Sequence, residues 1–139
     1  LCRLALLNAP TVACINGNAY AGGAIMASAT DFRLMRADRG RFCFPEVNIR
    51  IPFTTVSNAI AHLLPNKQAL RTMMLTGAAY TGTECFDNGI VDGLYDVDLL
   101  QTASFEMAQK LALKDRVTYA SIRNLMRSDI ATHLTHLTQ

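Results

Sequence analysis

The sequence carries almost no net charge. Thirteen basic and eleven acidic side chains leave +2 over 139 residues, which excludes the basic face with which a domain grips a nucleic acid. Long apolar runs are missing too. Leu4 to Ile15 comes closest, and Asn8-Ala9-Pro10 interrupts it, so nothing reaches the roughly 18 uncharged apolar residues of a bilayer-spanning helix. Neither a nucleic-acid partner nor a membrane is therefore expected. There is also no C-x-x-C pair. Cys2, Cys14, Cys43 and Cys85 are scattered among apolar neighbours with no histidine close in sequence. That spacing argues against a metal site and against a disulfide framework, and favours a reducing intracellular compartment. The histidines, His62, His133 and His136, fall in late helical stretches away from any nucleophile. They read as surface or core residues rather than catalysts.

What is present suits one packed α/β domain. Half the residues are hydrophobic and 17% are charged, enough for a buried core at this length. The chain is organised around Gly17-Asn18-Ala19-Tyr20-Ala21-Gly22-Gly23-Ala24-Ile25-Met26-Ala27. Before it, an apolar run bounded by Pro10 and Gly17 predicts a buried strand over 11–15. After the paired glycines, an almost wholly apolar stretch predicts a helix over 23–30, buried on every face. Its first-turn N–H groups lack intrahelical partners, and glycine lets another molecule approach them closely. Such a site suits negative charge, whether phosphate or the oxyanion of a reacting carbonyl.

Further along, 32–35 and 41–44 read as short strands around a turn at Ala37-Asp38-Arg39-Gly40, with Pro45-Glu46 ending the second. The segment 47–52 reads as extended or looping. Helical periodicity then takes over, with Thr54 or Thr55 capping the first helix and Pro65-Asn66-Lys67 resetting the chain. Thr81-Gly82-Thr83-Glu84 has the form of a capping box, and 90–95 is strand-like. Asp98 is expected to cap a helix whose inner face is Leu99, Ala103, Met107 and Leu111, followed by helices over 116–126 and 128–137. The start at 1–7 looks like the tail of a helix.

Taken in order, these pieces resemble the enoyl-CoA hydratase/isomerase, or crotonase, family. The resemblance rests on Pro10-Thr11-Val12-Ala13-Cys14-Ile15-Asn16-Gly17, Ala21-Gly22-Gly23, Asp31, Phe44-Pro45-Glu46, Leu75-Thr76-Gly77 and Asn88-Gly89-Ile90-Val91-Asp92. It implies an α/β, crotonase-like ββα spiral over 1–95 and a helical oligomerisation region over 96–139. It also implies that the domain is N-terminally incomplete, with a second oxyanion donor and most of the CoA-holding surface upstream.

These enzymes hold an acyl-CoA thioester and stabilise the enolate formed when a proton leaves C2. By resemblance, the N–H of Gly22 is one oxyanion donor and Glu46 is the catalytic carboxylate. Ala21, Gly23, Ile25, Phe44, Ile49 and Phe53 would line the substrate. Hydratases of the family place a second glutamate where this sequence has Ile25, and isoleucine cannot orient water. A lone carboxylate can take a proton from C2 and return it at C4, as the Δ3,Δ2-enoyl-CoA isomerases do. Apolar surroundings (Phe44, Ile49, Ile51 and Phe53) strengthen a carboxylate as a base. Arg50 stands where many relatives have glycine. Arg116, Tyr119 and Arg123 lie on a C-terminal helix that in relatives can touch CoA or a neighbouring subunit. The expected partners are an acyl-CoA substrate and further copies of the chain in a trimer or hexamer. No cofactor is expected beyond the coenzyme A of the substrate. A hydratase-like enzyme and a catalytically silent acyl-CoA-binding paralogue remain as alternatives.

Overall fold

The computed structural model describes residues 1–137, with side chains as far as His133. The chain runs α1 (Cys2–Ala5), β1 (Val12–Ile15), β2 (Ala19–Tyr20), α2 (Gly22–Ser28), β3 (Phe32–Arg36), β4 (Arg41–Cys43) and α3 (Glu46–Ile49). It continues α4 (Thr55–Ala61), α5 (Lys67–Thr76), β5 (Ala79–Thr81), α6 (Gly82–Asp87), β6 (Gly93–Tyr95), α7 (Val97–Ala112), α8 (Arg116–Met126) and α9 (Ser128–Leu137). The strands form two three-stranded sheets, β1-β3-β6 and β2-β4-β5. β1 and β6 are both parallel to β3, β2 is parallel to β4, and β5 is antiparallel to β4. The first two windings of the chain each lay one strand in the first sheet, one in the second, and then helix, and the third returns through β5 in the second sheet and α6 to β6 in the first. That is the ββα spiral.

Local chemistry sets the joints. Gly40 has φ 95°, and a Cβ there would meet the Gly17 carbonyl oxygen at 2.5 Å, so only glycine lets the β3–β4 turn lie against the β1–β2 turn. Thr54 caps α4 by accepting from Ser57 N, Asn66 caps α5 by accepting from Ala69 N, and Thr81 with Glu84 completes a capping box on α6. The core between the sheets and helices holds Met35, Phe42, Phe44, Ile60, Leu64, Leu70, Met73 and Ile90. α7 packs on β1, β3 and β6, and α9 packs on α1 and α4. Among the described residues, no helix is long and apolar enough to cross a membrane.

Several expectations are corrected here. The segment after Pro45 is not extended throughout, since 46–49 forms the single turn α3. Pro45, with φ −81°, starts that turn and Arg50 ends it. Asp96, not Asp98, stands at the N-cap of α7. The inner face is shifted accordingly. Leu100 and Ser104 are buried, whereas Leu99 is 58% exposed. β2 and β5 were not foreseen, because strands of two and three residues are too short to show a period. Cys14 is exposed rather than enclosed by apolar neighbours, and all four cysteines are free. His62 Nδ1 lies 2.8 Å from Asn58 O and His133 is half-buried. The side chain of His136 lies outside the described residues.

Arg50 closes α3 in the left-handed conformation, φ 60°, ψ 34°, where a side chain costs about 1–2 kcal/mol and glycine does not. Glycine loses part of that advantage through its freer unfolded chain. Arg50→Gly is therefore expected to stabilise the fold by about 0.5–1 kcal/mol, read as a higher denaturant midpoint at unchanged m-value.

Candidate active site

The candidate oxyanion donor sits at a strained corner. Ala21 has φ 49° and ψ −118°, a conformation that costs a non-glycine residue about 1–3 kcal/mol and survives only where its surroundings impose it. They do so through two backbone bonds. Ala21 N donates to Cys43 O at 3.0 Å, and Ile25 N donates to Ala21 O at 2.9 Å. α2 begins at the next residue with no side-chain cap. Gly22 and Gly23 are exposed, and nothing lies within 4 Å of where their Cβ atoms would be. On that side the glycine backbone is uncovered. The start of α2 is thus an open edge rather than buried on all faces as expected, and Met26 is 55% exposed.

Glu46 lies at the end of the neighbouring strand. β2 and β4 run parallel, with Tyr20 opposite Cys43, so Gly22 and Glu46 both follow the C-terminal ends of paired strands. In open parallel sheets that edge is where ligands collect. The Glu46 side chain turns inward at 6% exposure, and its Oε2 is buried with no hydrogen-bond partner among the described residues. Burial, and then the nearby Glu46 charge, push the Cys43 thiol pKa up. The carbonyl of that same Cys43 anchors Ala21. Carboxylate and glycine corner are therefore tied to one residue.

The remaining expected contacts divide. Phe44 is fully buried and stacks edge-on to Phe42 at 5.6 Å and to Phe53 at 5.8 Å. Ile25 is packed in the core at 6% exposure, while Ile49 is 51% exposed and so encloses nothing in this chain. A concavity of about 340 Å³ opens beside Gly23, between Asn16, Asn18, Met26 and Ala27, but Glu46 does not line it. Glu46 and Gly22 are related through the β2–β4 pair, not through that cavity.

The enoyl-CoA hydratase/isomerase family matches this chain over residues 1–139. The chain belongs to that family. It is 34% identical over 126 residues to the peroxisomal enoyl-CoA delta isomerase 2 of Arabidopsis thaliana, covering 87% of this chain and 52% of the relative. It is 30% identical over 149 residues to enoyl-CoA delta isomerase 3 of the same plant, covering 96% and 63%. It is 29% identical over 123 residues to a carnitinyl-CoA dehydratase of Citrobacter koseri, covering 88% and 46%. The chain thus spans about half the length of the curated relatives it matches. A probable enoyl-CoA hydratase from Mycobacterium tuberculosis superposes with TM-score 0.88 at 21% identity, covering 94% of this chain and 55% of its own. That likeness shows the crotonase fold.

One buried feature of this crotonase fold was not foreseen as a cluster. Asp31 Oδ2 accepts from Thr11 N at 2.9 Å, from the Tyr119 hydroxyl at 3.0 Å and from Arg123 Nη1 at 3.3 Å. Its Oδ1 lies 3.0 Å from Arg127 Nη2. Burial first, then the bond to Asp31, push the Tyr119 pKa up to about 12. Arg123 Nε and Nη2 have no acceptor among the described residues, but the guanidinium lies over the Tyr119 ring, 5.9 Å from its centroid. The polar residues singled out on α8 all bond within the chain. Tyr119 and Arg123 face inward to Asp31, and Arg116 Nε donates to Asn8 O at 2.7 Å. The exposed turn charge Asp38 pairs with Arg36, whose bidentate bond lowers its pKa to about 2.

Proposed function

We propose that the protein moves the double bond of a 3-enoyl-CoA thioester to the 2 position, with Glu46 as the proton shuttle and the Gly22 N–H on the enolate oxygen. The observation that carries this reading is the solitary acid. Among the described residues the Asp31 carboxylate is buried as well, but it is paired with Arg123 and Arg127, whereas Glu46 is buried with no ion-pair partner and an Oε2 that no group hydrogen-bonds, and Ile25 occupies the place of a second catalytic acid. Glu46 takes the proton from C2, and the electron pair shifts onto the thioester oxygen. The enolate collapses as the same carboxyl returns the proton to C4, so nothing is consumed. The likeness to two plant enoyl-CoA delta isomerases supports this reading.

The likeness to carnitinyl-CoA dehydratase favours a second reading, removal or addition of water. That chemistry calls for a further group to handle water, and Ile25 cannot. Residues 96–139 are proposed as an oligomerisation region for a trimer or hexamer. Val117, Leu125 and Met126 project from α8 at 77% exposure or more, a large apolar area for a lone chain.

The test is to give the purified full-length protein 3-hexenoyl-CoA and follow formation of the conjugated 2-enoyl thioester, with hydration of 2-hexenoyl-CoA measured in parallel. Isomerisation without appreciable hydration is expected. Faster hydration than isomerisation would favour the second reading, and thioester binding without turnover would mark a silent relative.

A further inference from the structure

Helix α2 has seven residues, too few to hold its shape alone, since isolated helices below about 12–15 residues are marginal. Its first turn is a glycine pair with no side-chain cap, and its leading end is held by the bond from Ala21 N to Cys43 O and by burial of Ala24 and Ile25. The trailing end is held quite differently. Arg33 Nη1 donates to Thr30 O at 3.1 Å and to Ala27 O at 3.4 Å, while its Nε reaches Ile90 O at 2.7 Å. Arg127 Nη1 donates to Ala29 O at 2.9 Å and to Ala5 O at 2.6 Å, and its Nη2 reaches Thr30 O at 3.2 Å. Two guanidiniums, one from β3 and one from the α8–α9 junction, thus satisfy carbonyls that a helix C-terminus leaves open.

Both side chains are buried, at 5% and 7% exposure. Burial depresses the pKa of each, the mark of a desolvation penalty that apolar side chains of the same volume would not carry. What the guanidinium adds is direction. Its planar fork fixes the carbonyls it touches, and its charge opposes the negative end of the helix dipole.

We infer that Arg33 and Arg127 are positioning residues for the Gly22 N–H, fastening the carbonyl end of α2 so that its other end presents that donor in one place. The inference rests on the enolate chemistry proposed above. Seven residues span about 10 Å, so a tilt of about 6° about the arginines moves the glycines by about 1 Å. An error of about 1 Å in such a donor can cost about 10²-fold in rate.

The experiment uses Arg127→Met and Arg127→Lys in the full-length protein, assayed well below their melting temperatures. Arg127→Met is expected to lower kcat on 3-hexenoyl-CoA by about 10- to 100-fold with KM within about twofold. A nitronate-bearing acyl-CoA, an anionic mimic of the enolate, should lose affinity by a similar factor, while saturated hexanoyl-CoA binds as before. Arg127→Lys keeps the charge but not the fork, and should fall between. If Arg127→Met does not fold, Arg33→Lys carries the test with the same split at smaller size. Unchanged kcat overturns the inference. So does a parallel loss of nitronate and hexanoyl-CoA affinity, which is what general loosening produces. A wild-type protein that neither isomerises nor prefers the nitronate overturns the enolate reading itself, and that result is visible before any variant is made.

Discussion

Glu46→Gln is expected to lower kcat for double-bond migration by about 10²–10⁴-fold, the range for removing a positioned general base. The amide has nearly the shape of the carboxylate but cannot accept a proton from C2, so the step that makes the enolate loses its base. KM should change little, because the shuttle acts on a proton whose transfer belongs to the transition state rather than to thioester binding. The fold offers little reason for the variant to unfold. Oε2 has no hydrogen-bond partner to lose among the described residues, and Phe44 keeps its ring contacts with Phe42 and Phe53. A melting temperature close to wild type, with thioester binding retained and turnover gone, is the predicted combination. Turnover within about tenfold of wild type would remove Glu46 from the mechanism, because a residual rate that high leaves a base nothing to do.

The parts of this fold that read well from sequence are those whose signal is local. Thr54 and the Thr81/Glu84 pair announce helix starts because a cap is a bond made within three residues. The helices at 116–126 and 128–137 were bounded correctly, since an amphipathic period spans several turns. Gly22, Gly23 and Glu46 could be picked out only as members of an ordered set of motifs. Neither a glycine pair nor a Pro-Glu step is informative alone, and pairing of β2 with β4, which relates them, involves strands too short to show in the pattern. The turn at Glu46 was hidden for a different reason. Its alternation of apolar and polar residues, Val47-Asn48-Ile49-Arg50, resembles a strand, and the single helical turn is made by Pro45 and the left-handed Arg50. What no local pattern could show is the charge buried around Asp31. Its partners Tyr119, Arg123 and Arg127 are far away in sequence, the first two on an ordinary-looking amphipathic helix and the third in the break between two helices. An arginine on such a helix is usually solvated. Here the aspartate at the end of α2 draws it inward.

That buried aspartate predicts the largest loss of stability. Asp31→Ala leaves Arg123 and Arg127, at 5% and 7% exposure, without their shared counter-ion, and strips Thr11 N and the Tyr119 hydroxyl of an acceptor. Removing one partner of a buried ion pair typically costs about 3–5 kcal/mol, because the remaining charge stays desolvated. Against a total of about 5–15 kcal/mol for a domain, that is enough to leave the variant partly unfolded at physiological temperature. Denaturant titration should show it as a large fall in midpoint. Two features oppose the loss. Arg127 keeps three backbone carbonyls, and Arg123 keeps Ala9 O at 2.7 Å. If those carbonyls were sufficient, Asp31→Ala would cost no more than the about 1–3 kcal/mol of its orphaned donors. A double-mutant cycle separates the two. With Arg123→Met already in place, one cation fewer needs compensation, so Asp31→Ala should cost measurably less than it does alone. Equal costs in the two backgrounds would show that Asp31 holds the C-terminal helices through its neutral hydrogen bonds and through Arg127, with Arg123 a bystander stacked on Tyr119.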